Sequence, residues 1–263
     1  MYTKEITMSK LPVLFVGHGS PMNAIETNAF TEGWEALGLK IGKPSAILAV
    51  SAHWYTRGLF VSTAAQNRQV YDMYGFPQEL YDVKYAPKGD PALARRVLSL
   101  LPADAKANQD WGIDHGVWSV LCRMVPDASI PVVMMSIDGF RSAEEQYALG
   151  EALKPLREEN VLILGSGNVV HHLGLIDWDN PNGGYPWADA FDHYVRDAIL
   201  AGDFQKAIRY KESGLPYQKA FPTPDHFNPL PVILGAASAD DKVSVWNDAR
   251  TLGSLSMTSY LFE

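Results

Sequence analysis

Four short apolar runs constrain the fold of this chain more than any other feature. They are Pro12–Val16, Ala46–Val50, Pro131–Met135 and Val161–Leu164. Each is rich in Val, Ile, Leu or Met, and none alternates with polar residues. Side chains of a strand point to opposite faces in turn, so a strand with one wet face must alternate. Unbroken apolar runs predict strands buried on both faces, as in a parallel sheet with helices above and below.

The segments between the runs read as helices. Asp90-Pro91 supplies an N-cap and a first-turn proline to ALARRVLSLL. Gly116–Val125 is apolar throughout and predicts a buried helix. Ser142 to Glu145 is a capping box. After Pro186, residues Trp187, Phe191, Tyr194, Val195, Ala198 and Ile199 recur at helical spacing. A last helix is expected from near Asp225 to Ala237, and SLSMTSYLF is expected to end the chain as a strand. The fold class is therefore α/β, a single domain over residues 1–263 with a mostly parallel, doubly wound sheet. The aromatic stretch Trp54–Gly89 is expected to be an irregular lid or wall beside the site.

Composition narrows the function. The net charge is −8 and no run of Lys or Arg occurs, so no nucleic-acid partner is expected. No apolar run approaches the ~20 residues of a membrane span, so no membrane partner is expected. The start carries Glu5 and no apolar leader, which predicts a cytoplasmic protein, with Met8 as an alternative start. The lone Cys122 permits no internal disulfide and no Cys-rich zinc site, so any metal must be held by nitrogen and oxygen. Flanked by Leu121 and Met124, it reads as packing rather than as a nucleophile.

The residues just after each run carry the chemistry. The first run leads into Gly17-His18-Gly19, the second into Ser51-Ala52-His53, the third into Ser136-Ile137-Asp138, and the fourth into Gly165-Ser166-Gly167-Asn168, with His171 and His172 beyond. In a parallel sheet these carboxyl ends share one edge, where ligand crevices form. His18, His53 and the His171 region should converge there, and gathered neutral imidazoles are the usual makeup of a transition-metal site. His226 and Asp225 compete as the third ligand, Asp225 also serving as a helix cap or as support for a ligand ring. His115 and His171 are candidates for general acid or base. Any one histidine alone is more often structural; His18 and His53 together reverse those odds. His172 reads as a spectator and His193 as a surface residue. Gly165-Ser166-Gly167 lacks the lysine of a phosphate loop. Trp54, Tyr55, Tyr74, Phe76 and Trp111 are candidates for an aromatic pocket, though each alone is more often core.

GHGSPM (Gly17–Met22), SAHW (Ser51–Trp54), YGFPQELYD (Tyr74–Asp82), WGIDHGVW (Trp111–Trp118) and SGNVVHHL (Ser166–Leu173), with PTPDHFNPL and GSLSM, cover most of the chain in order. In these motifs the chain resembles the 4,5-DOPA extradiol dioxygenases of the class III, protocatechuate 4,5-dioxygenase β-chain-like superfamily. The resemblance implies that His18, His53 and His226 bind one divalent metal. It implies that His171 is the catalytic base or a fourth metal ligand, and that His115 supports the dioxygen site. Protocatechuate-type enzymes use two histidines and a glutamate, whereas His226 here makes a third imidazole. Zn(II) can occupy such a site, and Fe(II) is expected for turnover. The implied reaction is extradiol opening of a catechol such as L-DOPA by O2, in a monomer or small homo-oligomer. The alternatives are a zinc hydrolase, with Asp114, Asp138 or Asp225 as base, and a binding scaffold whose histidines only anchor structure.

Overall fold

The four apolar runs form strands, and successive residues in each land on opposite sides of one sheet. In the first strand, β1 (Val13–Gly17), Val13 and Phe15 join one buried cluster while Leu14 and Val16 join the other. The computed structural model describes residues 10–263, so the reading of the chain start and of Met8 lies outside the described residues. The remaining strands are β2 (Ala46–Thr56), β3 (Phe60–Ser62), β4 (Lys106–Asn108), β5 (Val132–Asp138), β6 (Val161–Gly167), β7 (Val243–Trp246), β8 (Arg250–Thr251), β9 (Leu255–Ser256) and β10 (Ser259–Phe262). Eight of them make one sheet in the order β4-β3-β5-β2-β6-β1-β10-β7. Its centre, β5-β2-β6-β1, is wholly parallel. The flank β1-β10-β7 is antiparallel, as is the contact of β3 with β5.

Helices cover both faces. They are α1 (Ala29–Ile41), α2 (Gln78–Asp82), α3 (Pro91–Leu100), α4 (His115–Met124), α5 (Ala143–Leu153), α6 (Pro186–Leu200), α7 (Phe204–Ile208), α8 (Tyr217–Ala220) and α9 (Pro229–Ala236). Trp34 and Leu37 of α1 and Val117, Trp118 and Leu121 of α4 pack on the Leu14 face. Residues of α3, α5, α6 and α9 pack on the Val13 face. The chain leaving β1 thus crosses one face and the chain leaving β6 the other. The two strands are neighbours, so their carboxyl ends flank a topological switch point, where open α/β sheets form ligand crevices.

The caps are those the sequence predicts. Asp90 accepts from the backbone N–H groups of Ala92 and Leu93, and Ser142 and Glu145 form the reciprocal capping box. Four expectations are corrected. The strand β2 continues past Val50 to Thr56, with a bulge between Val50 and Tyr55, so His53 lies inside a strand rather than after one. The last helix begins at Pro229, not near Asp225. The backbone N–H groups of Phe227 and Asn228 both donate to Pro224 O, which turns the chain and leaves Pro229 to open α9. The C-terminus contributes not one strand but several, and β10 shows no alternation because both its faces are buried. Trp54–Gly89 is not wholly irregular either, since it contains the end of β2, the short strand β3 and α2.

Cys122 is half-buried on α4, and burial pushes its thiol up to about 11, as suits a packing role. Among the described residues no helix is long and apolar enough to cross a membrane.

Two glycines set the spacing of α5 and α9. A Cβ on Gly150 would overlap Val232 O, and a Cβ on Gly235 would overlap Tyr147 O. The helices therefore touch backbone to backbone, and neither carbonyl can swing away without breaking its helix. Gly150→Ala should destabilise the protein by about 1–3 kcal/mol despite the better helix propensity of alanine, because overpacking outweighs it. Chemical denaturation of the variant tests this, and an unchanged midpoint would refute the close contact.

Candidate metal centre

Strand pairing alone brings two of the predicted histidines together. Val16 of β1 and Ser51 of β2 both lie in register with Ser166 of the strand between them. His18 follows β1 directly, and its N–H donates to Gly167 O. The bulge in β2 breaks the parallel ladder beside β5, so His53 turns towards the same crevice. The rings of His18 and His53 lie 5.0 Å apart.

The third imidazole arrives by close backbone packing. Asn168 N–H donates to His226 O at 2.9 Å. A Cβ on Gly167 would overlap that same carbonyl, and one on Gly165 would fall 2.5 Å from Ile233 Cγ1. The Gly165-Ser166-Gly167 pattern thus lets the 224–229 turn sit on the end of β6. The His226 ring lies 5.2 Å from His18 and 4.9 Å from His53. One ligand nitrogen of each ring falls within 4.8 Å of the other two.

Each of the three rings has its Nδ1 engaged. His18 Nδ1 is 2.9 Å from Ser166 Oγ, and that hydroxyl donates its only proton to Gly116 O. His18 must therefore be the donor in this pair. His53 Nδ1 lies 3.3 Å from Asp72 Oδ2, and His226 Nδ1 lies 2.6 Å from Asp225 Oδ2. A carboxylate only accepts, so the hydrogen-bonded His226 ring is protonated at Nδ1, and the Asp72 carboxylate beside His53 Nδ1 favours the same tautomer there. All three then carry their lone pairs on Nε2. Two of those, on His18 and His53, face each other at 3.1 Å, and His226 Nε2 is buried without a hydrogen-bond partner among the described residues. Three converging lone pairs repel one another, and a cation among them resolves the conflict. The donor set therefore fits one metal ion.

Burial and the neighbouring imidazoles push the His18 and His226 rings well below the ordinary histidine range. His53 is lowered as well, by burial and by His115, against the opposing pull of Asp72. The rings are neutral at pH 7, the form in which imidazole binds metal without releasing a proton.

Two further predicted rings border the cluster. His171 stacks flat on His226, with centroids 3.5 Å apart and planes 3° apart, and does not join the three nitrogens. Burial lowers it to about 4, although the Asp225 carboxylate opposes the shift. His115, the first residue of α4, has its ring centroid 3.9 Å from that of His53. His172 points elsewhere, its Nδ1 on Lys219 O. His193 is not the solvated residue expected; it is half-buried and accepts from Arg250 Nη2.

The aromatic candidates divide. Trp54 is 4% exposed and stacks on Trp111 and Phe60, which makes it core rather than pocket wall. Tyr74 is 92% exposed. Asp72, Ser166 and Asp225 hold the rings, and only Asp225 stands out from the sequence in that role. A histidine announces itself by type, whereas one aspartate among many does not.

The comparisons with known proteins agree with this geometry. Residues 6–263 match the family model described as the catalytic LigB subunit of aromatic ring-opening dioxygenase. The chain belongs to this family. Escherichia coli K12 has a relative named 4,5-DOPA dioxygenase extradiol, 41% identical over 97% of each chain. A relative of the same name in Beta vulgaris is 37% identical over 94% of this chain and 95% of its own. The crystal structure of an uncharacterized Escherichia coli K12 protein superposes with a TM-score of 0.84 at 37% identity, covering 97% of this chain and 100% of that one. Membership makes the chain an oxidoreductase of the aromatic ring-opening class, whose members use a metal.

Gly116 is a sensitive point in this packing. A Cβ there would lie 2.7 Å from His53 Cδ2 and 3.3 Å from His18 Nδ1. Gly116→Ala should retain or raise helix stability, since alanine favours helix, yet weaken metal binding by about tenfold or more as the rings are displaced. Metal titration beside a thermal melt separates the two effects, and unaltered affinity would count against the crowding.

Proposed function

We propose that this chain opens the ring of a catechol such as L-DOPA by extradiol, 4,5-cleavage with O2, giving a muconate semialdehyde. The observation that carries the reading is the convergence of three neutral imidazoles whose Nε2 lone pairs have no other use. The names of the relatives support the choice of DOPA. Both atoms of O2 enter the product, so the overall reaction needs no separate reductant.

In this reading His18, His53 and His226 hold one divalent metal through Nε2. Bound there, Fe(II) supplies the Lewis acidity that favours a catecholate and the redox activity that ring opening by O2 requires. Everything else falls to the chain. Ser166, Asp72 and Asp225 fix the ligand tautomers. His171 takes a proton from a catechol hydroxyl. A ring lowered to about 4 is free of its own proton at neutral pH and so able to accept one. Its stacking on His226 keeps it beside the three-imidazole cluster without joining it, which favours the base over the fourth-ligand role. His115, held by Asp72, is the second proton carrier as the ring opens.

A zinc hydrolase on the same cleft would need a free carboxylate base. Asp114 accepts from Ser51 and Trp111, and burial pushes its carboxyl up to about 7. Asp138 accepts from the Gly58 and Phe140 backbones. Asp225 is engaged by His226 and Thr223. All three are committed to protein donors, which disfavours that reading.

Metal content and turnover should separate in two variants. His226→Ala should lose most of its metal, while His171→Ala should keep it and lose turnover by about 100-fold or more. Elemental analysis beside steady-state rates tests this; a His226→Ala protein with full metal content would remove that residue from the ligand set.

The metal itself gives a second test. Protein loaded anaerobically with Fe(II) should consume O2 with DOPA and form a yellow product. Protein loaded with Zn(II) should not, because zinc cannot change oxidation state. Failure of a catechol panel with iron bound would overturn the assignment.

A further inference from the structure

The side chain of Asp72 stands between two rings of the cluster. The residue lies on the surface in the 67–73 segment, but its side chain turns inward and is only 17% exposed. Its Oδ1 accepts from the backbone N–H of His115 at 3.0 Å and from His115 Nδ1 at 2.9 Å. Its Oδ2 lies 3.3 Å from His53 Nδ1. One carboxylate thus serves a metal-site imidazole and a cleft imidazole at once. The same three side chains bring one ligand atom each within 4.8 Å of one another, with His115 hydrogen-bonded to the carboxylate and His53 in ion-pair contact with it.

We infer that Asp72 is the positioning residue that sets the tautomer of both rings, and that it does so because a carboxylate is an acceptor on both sides. The inference rests on the proposed metal role of His53. Imidazoles that donate Nδ1–H to one carboxylate each present a lone pair at Nε2. His53 then offers Nε2 to the metal site, where it faces His18 Nε2 at 3.1 Å. His115 offers its own Nε2 as a proton acceptor, with its orientation pinned at two points, ring and backbone.

The backbone contact makes the consequence of an amide specific. In Asp72→Asn the amide carries one acceptor and one donor. The N–H of His115 can only donate, so it selects the amide oxygen for its own side. The amide NH2 is then turned to His53 Nδ1, and a donor there is met only by a lone pair. His53 must move its proton to Nε2, the atom that the metal needs, while His115 keeps its tautomer. A change of one atom type therefore disables one ring and spares the other. Loss of packing alone gives no such asymmetry.

The test is long-range 15N–1H correlation of the imidazoles in metal-free, full-length protein at pH 8, with Zn(II) titration as the second readout. In the parent protein both His53 and His115 should be protonated at Nδ1. In Asp72→Asn, His53 should switch to the Nε2–H form, His115 should not, and Zn(II) affinity should fall about 10- to 100-fold. Asp72→Glu, which keeps two acceptor oxygens, should retain the parent tautomers. A parent protein with His53 protonated at Nε2 overturns the inference without need of any variant. So does an Asp72→Asn protein whose His53 tautomer and Zn(II) affinity match the parent. If the parent binds no metal at all, the functional reading fails, while the tautomers still decide the role of Asp72.

Discussion

Three imidazole lone pairs are forced to face one another, and the rest of the site is arranged around that fact. Free imidazoles would avoid it by moving a proton to the inner nitrogen. Here Ser166, Asp72 and Asp225 hold the protons on the outer nitrogens. Burial removes the other escape, protonation, by making an imidazolium costly. The hydrogen-bond partners behind the rings thus decide what the rings can hold between them.

Bringing three rings this close requires backbone to approach backbone. Gly17 lies against the main chain of Met257, where a Cβ would fall 2.6 Å from its carbonyl carbon. Gly167 lies against His226 O, and Gly116 faces the rings themselves. These three glycines belong to three separate elements, yet each removes a side chain at the same crevice. The switch between β1 and β6 supplies the crevice, and the glycines make it narrow enough for imidazoles to meet.

How much of this is legible in the sequence depends on what kind of signal each part leaves. Strand β1 is buried on both faces and its apolar run ends within one residue of the strand, so the position of His18 can be read from it, whereas β6 runs three residues past Leu164 to Gly167. Local chemistry also reads cleanly, as at Asp90 and Ser142, whose caps depend only on neighbours. The course of β2 is not legible, because Ser51-Ala52-His53 looks like a strand end and only pairing with β5 and β6 carries it to Thr56. Trp54 and Trp111 look like pocket walls because aromatic residues near a site leave the same signal as aromatic core. Their stacking at 5.9 Å joins residues far apart in sequence. Asp72 is illegible for the same reason: its partners, His53 and His115, lie on different elements, and nothing local marks it among the other acidic residues.

The site is also held from behind by a polar interior that no apolar core would supply. Asp192 of α6 is fully buried, and burial alone would push its carboxyl up; Ser256, Arg250 and Thr258 oppose that shift. Arg250 Nη1 lies 3.0 Å from Asp192 Oδ2, Thr258 Oγ1 donates to it at 2.9 Å, and Ser256 Oγ donates to Oδ1. The strand it grips is the one that braces the crevice: Ser256 O accepts from Asn168 Nδ2, and Met257 closes against Gly17. Burying a charge this deeply adds little net stability, since desolvation cancels much of the attraction. What it does provide is a single position for residues 254–258, because any shift would leave the carboxylate unpaired. Apolar packing tolerates small slips; a buried carboxylate with three directional partners does not. The end of β1 and the end of β6 are therefore fixed relative to one another from outside the metal centre, and that fixes the distance between His18 and the turn that carries His226.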